Sequence, residues 1–279
     1  MSRADTVRQA LAEAEKRLAA VQGVPRLDAE ILMAAALGVP IGEMLLSHLG
    51  APAPARFESL VQRRLTEEPM GYVVGRVGFW TIELDIGPGA LIPRADTESL
   101  IEAAVAHFGK TGPARMIDLG TGPGTLLLAA LAEWPQARGL GVDASDEALA
   151  WARGNAKRLG FAGRAEFRTG NWAEGIEGRF DLVLANPPYV EDKAALIPGV
   201  VDWEPGLALF GGADGLDAYR RLAPQLPPLL APGGVVCVEI GAGQEKAVSS
   251  LFAAEGFTIE SRRDLRGIVR CLVLTLDRV

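Results

Sequence analysis

The 279-residue sequence predicts an α/β protein: a mostly parallel sheet with an antiparallel edge strand, preceded by a small helical bundle and a connecting β-hairpin. Three observations carry this expectation. Apolar residues recur at three and four through the first part of the chain. From Pro69 the texture turns β-rich. After Thr111-Gly112-Pro113, short apolar strands alternate with helical stretches, the pattern of a parallel sheet covered on both faces.

In chain order, Val7, Ala10, Leu11, Ala14 and Leu18 mark a first helix, and Ala29 to Ala36 a second, stopped at Gly38-Val39-Pro40. A third spans Ala55 to Glu67 after Pro52 and Pro54. Residues 1–68 thus read as a helical domain, 69–92 as a hairpin linker and 93–279 as the α/β domain. The hairpin is drawn from Tyr72-Val73-Val74 and Phe79 to Leu84. Asp96 or Thr97 is a plausible N-cap for a helix running to about Phe108. Strands are expected at 115–119, 139–142, 165–168, 180–185, 234–240 and 267–276, the last two closing an antiparallel edge with no helix fitted after Gly256. Helices are expected at 125–133, 146–159, 217–230 and 244–255.

Hydrophobic residues at 49% and charged residues at 23% suit a globular chain with a real core. The net charge of −7 disfavours a phosphate backbone as partner, since nucleic-acid affinity comes largely from Lys and Arg. Cys237 and Cys271 sit in apolar runs and read as small buried hydrophobes. With His48 and His107 far apart, no His-based metal cluster is expected. Residues 1–20 carry Asp5, Glu13 and Glu15 and do not read as a signal peptide; no apolar run approaches the ~20 residues of a membrane span. The expected location is the cytoplasm.

Met116-Ile117-Asp118-Leu119 runs into Gly120-Thr121-Gly122-Pro123-Gly124 and then a helix. Glycine permits a tight turn against which a ligand can lie. The spacing is shorter than the dinucleotide fingerprint, and Asp118 before it opposes a polyphosphate and favours a cationic ligand. An ordinary βα turn would also explain the glycines alone. The next strand ends in Asp143, an acid placed to accept from ribose hydroxyls, and the third is followed by Gly170-Asn171-Trp172, whose ring can stack on an adenine. Turn, acid and ring at three successive strand ends point to a nucleoside-type cofactor.

The fourth strand stops at Asn186-Pro187-Pro188-Tyr189. Two prolines stiffen the segment, and its carbonyls together with the Asn side chain can accept both hydrogens of a planar NH2 group. Tyr189 is expected to stack on that group. An amide nitrogen is a poor nucleophile, so orientation and acceptors that strengthen as positive charge builds are the chemistry required. No basic side chain is evident there.

These residues, with Leu91-Ile92-Pro93-Arg94-Ala95-Asp96-Thr97-Glu98 and Trp203-Glu204-Pro205, resemble the HemK/PrmC family of release factor glutamine methyltransferases. The resemblance implies a Rossmann-like class I methyltransferase sheet and S-adenosylmethionine as cofactor. It implies that Gly120, Thr121, Gly122, Pro123, Gly124, Asp143, Trp172 and Asn186 bind that cofactor. Asn186, Pro187 and Tyr189 would be catalytic, and Asn186 to Tyr189 would hold the glutamine of the Gly-Gly-Gln motif of peptide chain release factors. The helical domain would recognise that protein, with no direct nucleic-acid substrate. Two departures stand out: Asn171 where many relatives carry Asp, and Pro123 where Thr or Ser is commoner. Other readings are a glutamine methyltransferase for a ribosomal protein, an N6-adenine DNA methyltransferase, and a cofactor-binding module without catalysis.

Overall fold

The computed structural model describes residues 6–194, 198–264 and 266–276. By packing, the chain divides into one unit of Met1–Arg76 with Leu196–Trp203 and a second of Val77–Ala195 with Glu204–Val279.

The first unit is helical. Helix α1 (Val7–Leu18) opens with a capping box: the Gln9 N–H donates to Thr6 Oγ1 at 3.3 Å, and the Thr6 N–H donates to Gln9 Oε1 at 2.9 Å. Its buried residues Val7, Leu11, Ala14 and Leu18 form one stripe. Helix α2 (Pro25–Leu37) begins at a proline and ends at Gly38 in the left-handed region. A short α3 (Ile41–Glu43) runs into a π-turn, Met44–His48, before α4 (Arg56–Leu65). Ala29, Leu32, Met33, Phe57, Leu60 and Val61 complete the core. No single helix among the described residues is long and apolar enough to cross a membrane.

One strand expected here is a helix. Residues Met70–Val74 form α5, which buries Tyr72 and Val73 and ends at Gly75, φ 82°. The physical reason lies on α4: the Arg63 guanidinium donates to the carbonyls of Tyr72 (3.0 Å) and Val73 (3.1 Å), satisfying helix-end acceptors. The two-stranded sheet starts later, with β1 (Arg76–Phe79) and β2 (Ile82–Asp85). Only Trp80 and Thr81 lie between them, a connection that fits an antiparallel pair alone. A short helix, α9 (Pro198–Val201), also belongs to the first unit.

The second unit carries α6 (Glu98–Phe108), β3 (Arg115–Leu119), α7 (Thr125–Glu133), β4 (Arg138–Asp143), α8 (Asp146–Arg158), β5 (Ala165–Thr169), β6 (Phe180–Ala185), α10 (Gly206–Leu209), α11 (Asp217–Leu222), β7 (Leu230–Glu239), α12 (Glu245–Ala254), β8 (Phe257–Arg263) and β9 (Val269–Leu276). The seven-stranded order is β5-β4-β3-β6-β7-β9-β8. The first five strands are parallel, and β9 pairs antiparallel with both β7 and β8. The antiparallel edge is therefore one strand broader than the sequence suggested, because β8 fills the segment after Gly256.

Alternation along the strands divides the core between two faces. Met116, Leu182, Leu184, Val235 and Cys237 pack with α6 and α7 on one face. Ile117, Val183, Ala185, Val236 and Val238 pack with α11 and α12 on the other. Both cysteines are buried in the sheet. The helix expected over 217–230 ends at Leu222 and continues as two 3₁₀ turns, since Pro224, Pro227 and Pro228 cannot donate within an α-helix.

Leu127 is fully buried on the first face beside the glycine turn. Leu127→Ala is expected to cost about 2–5 kcal/mol of stability, measured by denaturant unfolding.

Candidate active site

Strands β4 and β5 lie on one side of β3, and β6 and β7 on the other. The chain runs outward from β3 through β4 to β5, then crosses back to β6 on the other side of β3 and runs outward again to β7. Such a switch point opens a crevice beyond the carboxyl ends of the strands. A cavity of about 320 Å³ occupies it, within the range of small-molecule sites. Gly120 to Pro123, Asp143, Trp172, Asn186 and Pro188 all line it, as do Arg94, Thr97, Asp118 and Asn171.

The glycine turn is fixed from below. The N–H groups of Gly120 and Thr121 donate to the Val142 carbonyl at 2.8 and 3.0 Å. Gly120 has φ 75°, and a Cβ there would stand 3.2 Å from the Trp172 ring. Glycine is thus required both by the backbone and by the approaching ring. Asn155 on α8, fully buried, donates to the Pro123 carbonyl (3.1 Å) and exchanges two bonds with the Asp85 backbone. Gly124, beside α7, does not appear in the cavity wall but packs on Leu128 and Ala152.

Asp118 is buried at the end of β3. Its Oδ2 accepts from Thr121 Oγ1 (2.6 Å) and from the Leu127 N–H (3.2 Å), while Oδ1 has no hydrogen-bond partner. Burial pushes its pKa up to about 7 against the pull of those two donors, with the Asp143 charge raising it further. Asp143 is better satisfied: Gly122 N–H donates to Oδ2 (2.8 Å) and Ser145 N–H to Oδ1 (2.9 Å). Desolvation still raises its pKa. The cap of α8 falls to Ser145, whose hydroxyl accepts from the Ala148 N–H, so Asp143 is not consumed by capping. Trp172 follows β5 with φ 54°, an unusual backbone state for a large residue that turns its ring to the cavity. Asn171 Nδ2 donates to Glu174.

Asn186 directly follows β6, half-buried, and donates through Nδ2 to Thr97 Oγ1 at 3.2 Å. Its Oδ1 has no hydrogen-bond partner among the described residues. Pro187 is buried. Pro187 and Tyr189 do not line the cavity. The Tyr189 hydroxyl instead donates to Glu239 Oε1 at 3.2 Å, and desolvation with the Glu239 charge raises its pKa.

Sequence reasoning missed three contributors. Asp96 or Thr97 was expected to cap α6; the cap position falls to Thr97, whose side chain makes no capping bond and partners Asn186 instead. Glu239, buried at the end of β7, has its pKa pushed up to about 7 by desolvation. Glu204, nearly fully buried, accepts from the Ile92 N–H (3.0 Å) and pairs with Arg94, which holds the 91–94 segment along the cavity. Among the described residues no group of three His, Cys, Asp or Glu is placed to hold a metal.

Residues 9–75 match the PrmC N-terminal domain model, and residues 111–250 match a methyltransferase domain model. The release factor glutamine methyltransferase of Rhodospirillum rubrum is 46% identical over 255 residues, covering 89% of this chain and 78% of that protein. The chain belongs to the release factor glutamine methyltransferase family. The Caulobacter vibrioides member is 43% identical over 248 residues, 86% of each chain. The fold is shared with the ribosomal protein L11 methylase of Lactobacillus delbrueckii subsp. bulgaricus, at TM-score 0.52 and 24% identity over 70% of this chain and 84% of that one. It is the class I methyltransferase fold, whose methyl donor is S-adenosylmethionine.

The donor set suits such a cofactor: an unpartnered buried carboxylate oxygen for a cationic group, a glycine turn open to close approach, and a ring beside it. Without ligand, Asp118 holds in the folded state a proton that the unfolded chain releases at the usual carboxylate pH. Its stabilising share is complete below about pH 4 and declines as the pH rises through about 7. Melting temperatures of the ligand-free protein measured from pH 4 to pH 8 should fall less steeply for Asp118→Asn than for wild type.

Proposed function

We propose that this protein methylates the side-chain amide nitrogen of the glutamine in the Gly-Gly-Gln motif of peptide chain release factors. The observation that carries the reading is Asn186: its amide NH2 is tied to Thr97, which leaves Oδ1 as the unpartnered end of a side chain in the cavity wall. S-adenosylmethionine, when bound, supplies an electrophilic methyl group. Gly120, Thr121, Gly122 and Pro123 would form the floor on which it lies, with Gly124 closing the turn behind them. Asp143 receives its ribose hydroxyls and Trp172 its adenine. Asp118 faces its cationic portion.

On the acceptor side, Asn186 Oδ1 and the backbone carbonyls beside Pro187 and Pro188 take the two hydrogens of the glutamine amide. Two accepted hydrogen bonds orient the nitrogen and strengthen as positive charge builds on it. The prolines keep the segment from yielding. Tyr189 holds the segment from behind through its hydroxyl, with its ring packed against the core of the sheet. The helical domain, residues 1–68, recognises the release factor, with residues 69–92 as the connection to the catalytic domain of residues 93–279. Modification of a termination factor places the enzyme in the cytoplasm, with a protein rather than a nucleic acid as substrate.

Purified protein, labelled donor and a release factor test the reading. Methyl transfer to the Gly-Gly-Gln glutamine, found by peptide mass spectrometry, is the expected result; transfer only to a ribosomal protein or to DNA would overturn it. Asn186→Ala should lower kcat by about 100-fold or more while donor affinity changes little. Gly120→Ala forces a strained φ and pushes on the Trp172 ring, so calorimetric titration should show donor affinity falling at least about 10-fold.

A further inference from the structure

Past β6 the chain leaves the sheet, and the acceptor segment needs other supports. Pro187 and Pro188 have no N–H to give. Among the described residues, the next backbone ties fall on one peptide plane, the unit shared by Tyr189 and Val190. Its N–H donates to the Leu209 carbonyl at 3.0 Å. Its carbonyl accepts at 3.1 Å from Nε2 of Gln244, a residue 55 positions away. The Tyr189 hydroxyl, donating to Glu239, holds the same residue by its side chain.

Gln244 stands at the start of α12, a helix anchored on the sheet by the fully buried Val248 and Phe252. It occupies the cap position, yet its side chain makes no capping bond. It turns back instead over the turn that follows β7, where Oε1 accepts from the Gly241 N–H at 3.0 Å. Nε2 offers one hydrogen to Tyr189 and the other to the Gly215 carbonyl at 3.4 Å. An N–H on one side and two carbonyls on the other admit only this orientation of the amide. Glycines give it room. A Cβ at Gly215 would stand 2.3 Å from the Tyr189 carbonyl oxygen and 2.8 Å from Gln244 Nε2. One at Gly241 would stand 2.7 Å from Gln244 Oε1 and 3.0 Å from the Tyr189 ring. Three stretches of chain therefore close on one side-chain amide, and two of them are bare of side chains where it fits.

We propose that Gln244 is a positioning residue for methyl transfer: by holding the Tyr189–Val190 peptide plane it fixes the carbonyls that receive the substrate amide. The inference rests on the acceptor role given to the Asn186–Tyr189 segment. That segment is clamped at Asn186 by β6 and Thr97, and at Tyr189 by Gln244, Leu209 and Glu239. Between the clamps, the prolines fix φ but leave ψ free, and a carbonyl swings with ψ. Gln244 removes that freedom at the far end. It also occupies the Tyr189 carbonyl, which keeps that oxygen from competing for the substrate hydrogens. A planar NH2 group held by two acceptors tolerates little error in their direction, and a misplacement of about 1 Å costs about 100-fold in rate.

Two variants separate the donor from the space it fills. Gln244→Met keeps the length and loses every hydrogen bond. Gln244→Glu keeps an acceptor for Gly241 but turns a carboxylate oxygen toward two carbonyls. A residue that served only the Gly241 turn would be replaced by Glu without loss. With release factor as substrate, both variants should instead lose about 10- to 100-fold in kcat, with donor affinity by calorimetry retained. Gln244→Glu should be at least as slow as Gln244→Met. Amide hydrogen exchange reads the same clamp without substrate: the Val190 N–H should exchange about 10-fold faster in both variants, the Gly241 N–H only in Gln244→Met. The proposal is overturned by wild-type kcat or wild-type Val190 protection in Gln244→Glu, or by a loss of donor affinity as large as the loss in kcat. If Gln244→Met does not fold, the nearly isosteric Gln244→Glu decides alone. A wild-type chain inert toward release factors would count against the substrate assignment, and Val190 exchange would still decide the role of Gln244.

Discussion

The glycine turn, Asp143 and Asn186 reach one cavity because five parallel strands end on one side and the strand order reverses direction between β3 and β6. Register ties these ends together: Leu119 lies opposite Val142 on one neighbour and Ala185 on the other. Residues one to three positions beyond those partners are therefore neighbours in space: Gly120 to Gly122, Asp143 and Asn186. The Val142 carbonyl, which accepts from both Gly120 and Thr121, locks the turn to the adjacent strand. The geometry of the site is thus set by sheet pairing, and the loops need only complete it.

The same topology creates an electrostatic tension. Strand ends in the middle of a covered sheet are dry, and three of them carry carboxylates, Asp118, Asp143 and Glu239. Burial raises the pKa of each, and what differs is how each is answered. Asp143 has backbone N–H donors on both oxygens. Asp118 has donors on one oxygen and none on the other, and it lines the cavity. Glu239 is answered by the Tyr189 hydroxyl on one oxygen and by the more distant Arg270. A carboxylate left short of donors in a dry site attracts a cation, and Asp118, which lines the cavity, is open to one where Glu239 is not.

The glycine turn, Asp143, Trp172 and Asn186 were legible in the sequence because each follows directly on a short apolar strand, and strand ends at a switch point share one crevice. The edge strand β8 was not legible. Its residues Glu260, Ser261, Arg262 and Arg263 lack an apolar alternation, and pairing with β9 on one side alone holds them. Residues 70–74 carry β-branched and aromatic side chains yet form a helix, because Arg63, distant from the local pattern, supplies the donors that helix end requires. Thr97 looked like a cap because it begins a helix; that its hydroxyl turns to Asn186 depends on a contact 89 positions away. Glu239 did carry a signal. It ends the apolar run Val235–Val238 as Asp118 and Asp143 end theirs, and an acid closing a buried strand has the same physical meaning each time.

Why the segment uses an amide rather than a carboxylate follows from that crowding. A charged residue at 186 would face Asp118 across the cavity and Glu239 behind it, and each carboxylate would raise the pKa of the others until one held a proton. A protonated acid donates where an acceptor is required. Asparagine keeps a carbonyl at the cavity wall at every pH, but an amide can turn over, so its neutrality requires something to fix its direction. The Thr97 hydroxyl, which accepts from Nδ2, supplies that direction without placing a charge in the cavity.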